Sequence, residues 1–196
     1  MALPRRMNLP SRAAGRQHQN SMSRKPHATA YHEAGHAFAD WHFGFTVKRA
    51  TIMPKGGTAG HVATTTRLHF RSLEYSNPSG ARIGRLHERV VSLLAGHEAQ
   101  RRYSPSSVRS YHARSDREKV ADLLVTLHSK EELPHVLRYL QAKAANLVER
   151  PLHWRAIRHL AGLLVKHKTM TGEQVTEAIL EAFQREHQRQ PGTTGC

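Results

Sequence analysis

Two histidines four residues apart, with only glutamate, alanine and glycine between them, constrain this chain more than any other feature. The segment His32-Glu33-Ala34-Gly35-His36 lies in a run where Ala28, Ala30, Ala34, Ala37 and Ala39 favour helix. On a helix, residues four apart lie one turn apart on one face. His32 and His36 then present two imidazoles to one point, a pairing that can grip a tetrahedral Zn²⁺ from one side. Glu33 is offset from His32 by about 100° around the axis. It can reach a water on the metal without ligating the metal, and act as its base. Ala34 and Gly35 are small enough for a second backbone to come close. The pattern predicts a helix over 27–43, with Gly44 as its stop.

A catalytic zinc needs a third protein ligand and an open position. The only cysteine is Cys196, which excludes a disulfide framework and any zinc site built on cysteine pairs. Against 16 histidines there are only three aspartates, Asp40, Asp116 and Asp122. Asp40 follows His36 by one turn and sits too far along the axis to complete a site centred between the histidines. Asp122 falls mid-helix in a polar register. Asp116 is the best candidate, because it opens a helix at the end of a long loop. Glu88, Glu98 and Glu118 stay open as alternatives, and Asp116 could serve merely as a first-turn acid at its helix N-terminus.

The remaining periodicity is mostly helical. Residues 46–53 and 61–66 are rich in β-branched residues and flank the turn material of 54–60, which predicts a β-hairpin. Residues 68–79 read as loop. Helices are predicted over 80–103, from a capping box at Ser115 and Glu118, around 132–149, from Pro151, and from a second capping box at Thr171 and Gln174. The fold class is mainly α with one small hairpin. Residues 1–26 carry Arg5, Arg6, Arg12, Arg16, Arg24 and Lys25 and no acid, and read as a disordered basic arm. Residues 27–187 form the expected domain and 188–196 a disordered tail.

Five segments, in order, resemble the peptidase domain of the FtsH-type ATP-dependent zinc metalloproteases. TAYHEAGHAFADW (29–41) and KRATIMPKGGTAGHV (48–62) are similar to that family's HEAGH helix and the hairpin after it. VVSLLAGHEAQ (90–100) is similar to its "LLGGRAAE" helix, and SDREKVADLL (115–124) to its "NDLxxAT" segment. Residues 157–179 are similar to its closing helical region. The resemblance implies a helical zincin-like peptidase domain and gives Asp116 the role of third zinc ligand. It also implies a homo-oligomer and an ATPase. No GxxxxGK[ST] phosphate loop occurs in this sequence, so the expectation is a peptidase that acts without an ATPase module of its own. The family's glycine-rich loop before the aspartate is replaced here by SVRSYHARSD (107–116).

The expected activity is zinc-dependent endopeptidase cleavage of unstructured protein, with His32, His36 and Asp116 on the metal and Glu33 as general base. The strand near 61–66 could pair with an extended substrate. Two rivals share the site or the fold: a regulatory peptidase that cleaves one partner protein, and a catalytically silent basic binding protein. The net charge of +15 favours acidic partners, but no nucleic-acid-binding fold is recognisable. A separate ATPase acting in trans is a further expected partner. With no apolar run of about 18 residues, no secretory segment and a lone cysteine, the expected location is cytoplasmic, without a membrane span.

Overall fold

The computed structural model describes residues 12–54, 60–65, 80–108 and 114–189. It is mainly helical, with a small antiparallel sheet. The first helix, α1 (Arg12–His42), is followed by strands β1 (Thr46–Thr51) and β2 (His61–Thr65). Helices α2 (Gly80–Tyr103), α3 (Arg114–Val125), α4 (Leu133–Glu149) and α5 (Pro151–His167) come next, then strand β3 (Thr169–Thr171) and helix α6 (Gly172–Arg189).

α1 is the axis of the core. Ala34, Ala37 and Phe38 are fully buried, and the helix packs on α2, α5 and β1. The facing residues are aliphatic: Val90, Ala95 and Ala99 from α2, and Ile157, Leu160 and Leu164 from α5. Burying each Leu or Ile side chain contributes about 1.5–3 kcal/mol. α4 and α6 close the outer layer with Leu140, Ala144 and Val148, and with Val175 and Ile179. An aromatic stack ties α1 to its neighbours: Tyr31 lies 4.0 Å from Tyr103 at the end of α2 and 5.4 Å from Trp154 of α5, ring centre to ring centre.

Two elements differ from expectation. The sequence reading starts the first helix at 27 and assigns 1–26 to a disordered arm. The helix instead runs back through Pro26 to Arg12, and residues 1–11 lie outside the described residues. A proline marks a helix boundary in sequence because it lacks an N–H and crowds the preceding turn, yet here it is carried within the helix. The second difference is the sheet, which is more than a hairpin. Its order is β2-β1-β3, with Ala50 opposite Val62 on one side and Met170 on the other. A register shift between Val47 and Arg49 marks a bulge in β1. The tail expected from 188 is helical to Arg189, and 190–196 lie outside the described residues, as does the whole of the loop expected over 68–79.

The capping box at Thr171 is present in both directions. The Thr171 amide donates to Gln174 Oε1 (2.9 Å), and the Gln174 amide to Thr171 Oγ1 (3.3 Å). A second box, between Ser129 and Glu132, precedes α4. α3 begins at Arg114, which puts Ser115 within its first turn. No helix among the described residues is long and apolar enough to cross a membrane.

Candidate metal centre

α1 and α2 run antiparallel and in close contact, and the reason lies in their small residues. A Cβ on Gly35 would come within 2.6 Å of the Ala95 carbonyl oxygen and 2.7 Å of the Ala99 Cβ, so only glycine allows this approach. A stripe of residues four apart on α2 (Ser92, Gly96 and Gln100) faces a matching stripe on α1 (Asp40, His36 and His32). Each α2 residue does something different. The Ser92 carbonyl accepts from His36 Nδ1 (2.9 Å). Gly96 leaves room for the His36 ring, since a Cβ there would fall within 2.6 Å of both Cδ2 and Cε1. Gln100 Oε1 lies 3.1 Å from His32 Nδ1.

These contacts turn both Nε2 atoms the same way. His32 Nε2 and His36 Nε2 are 3.0 Å apart, and Asp116 Oδ2 lies 3.3 and 3.2 Å from them. The ligand atoms of a tetrahedral zinc with bonds of about 2.0–2.1 Å are about 3.3 Å apart. The triangle therefore has the size of one face of a zinc tetrahedron. It is the one group of three potential ligands that converges among the described residues. Asp116 reaches it from the first turn of α3, and Lys119 Nζ holds the other carboxylate oxygen, Oδ1, at 3.2 Å. That leaves Oδ2 to face the histidines.

The charges at this point call for a cation. Three electron-rich atoms face each other inside a largely buried site, and a proton or a metal ion can satisfy them. In the protein alone the proton is held on His36: burial opposes its charge, but the Asp116 carboxylate beside it wins and raises its pKa to about 9. Burial lowers that of His32. Asp116 is held far below the usual carboxylate range; burial works against its charge, but the charge on His36 beside it prevails.

Glu33 lies beside this group without belonging to it. It is buried, and its carboxyl packs under Gly60 at the start of β2; a Cβ on Gly60 would come within 2.6 Å of Oε1. Burial raises its pKa to about 7, helped by Asp116 and opposed by His36 and Lys119.

The other acidic candidates are employed elsewhere. Asp40 is fully buried one turn beyond His36, where it accepts from Arg89 Nη1 (2.6 Å), Ser92 Oγ and Thr64 Oγ1. It fixes α1 to α2 and to β2 rather than facing the histidine nitrogens. Glu88 pairs with Arg85, and Glu98 with Arg101. Asp122 and Glu118 are exposed on α3. The residues that orient the centre, Ser92, Gly96, Gln100 and Lys119, carry no motif that marks them in sequence, although the small-residue spacing of α2 hints at close packing. Comparison with known proteins finds no family model that matches this chain and no curated protein that matches it.

Proposed function

We propose that this chain is a zinc-dependent endopeptidase acting on unstructured protein, with His32, His36 and Asp116 as metal ligands and Glu33 as general base. The observation that carries the reading is the triangle of two Nε2 atoms and one carboxylate oxygen, with both Nδ1 atoms turned away onto acceptors. A neutral imidazole so held offers its other nitrogen as a lone pair. When bound, zinc supplies a Lewis acid that polarises the scissile carbonyl and makes water a better nucleophile at neutral pH.

The protein's own groups do the rest. Glu33 takes a proton from the attacking water and returns it to the leaving amine, work for which its carboxyl, buried beside the histidines without joining their triangle, is placed. Gly60 lets that carboxyl lie against the start of β2. β2 is an edge strand of the described sheet. An extended substrate added to its outer edge would pass near Glu33, its backbone read by strand pairing. Folded substrates resist such pairing, because a domain stable by about 5–15 kcal/mol seldom opens. Casein cleavage without ATP is therefore the expected activity of this chain, and cleavage of folded substrates would need an unfolding step supplied with it.

The test pairs zinc analysis with casein digestion. One zinc per chain and chelator-sensitive cleavage are expected, and Glu33→Gln should keep the zinc while losing activity about 100-fold or more. Retained activity in that variant would refute the assignment of the base.

A further inference from the structure

Gln100 is a buried, neutral side chain at the back of the metal centre, in the last turn of α2. Both ends of its amide are engaged. Oε1 lies 3.1 Å from His32 Nδ1. Nε2 donates to the Ser107 carbonyl (3.1 Å) and lies 3.3 Å from Ser107 Oγ. A carbonyl oxygen only accepts, so the amide nitrogen must face Ser107 and the amide oxygen must face His32. His32 Nδ1 is then the donor, and Nε2 carries the lone pair.

That tautomer has a competitor. His32 Nε2 also lies 3.3 Å from the Asp116 carboxylate, which would draw a proton onto Nε2 and spoil it as a ligand. The Gln100 oxygen is the acceptor that holds the proton on the far nitrogen. The opposite end of the same amide reaches the 3₁₀ turn Pro105–Ser107, where Ser107 Oγ donates to the Ser104 carbonyl (2.7 Å) and the Ser104 amide to the Gln100 carbonyl (2.9 Å). This turn lies on the connection that leads to Asp116.

We propose that Gln100 is a positioning residue of the metal centre, its amide oxygen keeping Nε2 of His32 free for the metal and its amide nitrogen anchoring the turn on the way to Asp116. The inference rests on the metal-centre part of the proposed function and is independent of proteolysis. It also explains the residue type. Glutamate would serve His32 but turn a second acceptor on the Ser107 carbonyl. Leucine fills similar space and serves neither end. Asparagine is one methylene short of spanning both.

The experiment uses the full chain and its Gln100→Leu and Gln100→Glu variants, with three measurements. Nitrogen chemical shifts of His32 in the metal-free protein at neutral pH report the tautomer. Competition with a chromophoric chelator reports zinc affinity, and amide hydrogen exchange reports the turn over 104–108. Gln100→Leu should move the His32 proton to Nε2 and weaken zinc binding about 10- to 100-fold, the usual cost of losing a partner behind a ligating histidine. Gln100→Glu should restore the tautomer and most of the zinc affinity, yet leave amides 104–108 exchanging faster than in the parent protein. The proposal is overturned if Gln100→Leu keeps both tautomer and affinity, or if Gln100→Glu loses zinc as fully as Gln100→Leu. The tautomer measurement needs no metal, and none of the three needs a substrate. A parent protein that binds zinc but leaves casein intact would therefore count against the peptidase reading alone.

Discussion

Gly96→Ala adds one methyl group at the point where α2 passes the His36 ring, and its effects on metal and on stability should separate. The new Cβ would lie 2.6 Å from two ring carbons, where a relaxed carbon contact is about 3.5–4.0 Å. The ring must therefore move by about 1 Å, whereas metal–ligand distances tolerate about 0.2 Å. His36 is lost as a ligand, or is retained only by displacing α1. Because loss of a partner behind a ligand already costs 10–100-fold, loss of the ligand itself should weaken zinc binding by more than about 100-fold. Stability of the metal-free protein should change little. Alanine in place of a helical glycine gains about 1 kcal/mol, and the displaced ring gives up its hydrogen bond to Ser92, worth about 0.5–1.5 kcal/mol. The assay is zinc competition together with thermal unfolding in chelator. Zinc affinity equal to that of the parent protein would refute the argument, because the methyl group would then have found room without moving His36.

Gly60→Ala should act on the base and spare the metal: its Cβ would press on the Glu33 carboxyl, so casein cleavage should fall about 10-fold or more while zinc content stays at one per chain. Arg89→Met leaves Asp40 charged and buried without its ion-pair partner; urea unfolding should show a loss of about 3 kcal/mol, and a loss near zero would mean that Ser92 and Thr64 suffice. Acid should act through three further histidines. His42, His87 and His153 are each held below the ordinary imidazole value of 6.5, by burial first. The unfolded chain takes up these protons before the folded one, so the stability that these three contribute is full above 6.5 and is lost as pH falls below it. His36 and Glu33, raised in the metal-free fold, act in the opposite sense, so the parent is compared with His87→Gln, whose melting temperature should fare better on acidification; an equal change in both between about pH 7.5 and 5.5 would contradict this.

The helices were largely legible because each carries its own signal. The apolar spacing over 80–103 matches α2, Pro151 opens α5, and the Thr171 box caps α6. His32 and His36 were legible for the same reason: their geometry is local to one helix. Asp116 was harder. It joins His32 and His36 across 84 and 80 residues of chain, and the residues alone ranked it first without excluding Glu88, Glu98 and Glu118. β3 was not legible, because three residues have too little pattern to read and its pairing with β1 is purely tertiary. Gln100 was hidden for another reason. A buried amide that positions a ligand is recognised only by what stands on either side of it.

The sheet also sets an order of events for the growing chain. β1 finds β2 within a short stretch of sequence, but its other partner, β3, arrives more than a hundred residues later. Closing so long a loop is slow compared with hairpin formation. Until then one side of β1 is an open edge, the kind of surface on which nascent chains stick to one another. Lys48 and Arg49 stand exposed on that strand. Charge at this place repels a second copy while the last strand is awaited, and it costs the finished fold nothing, because both side chains stay in water.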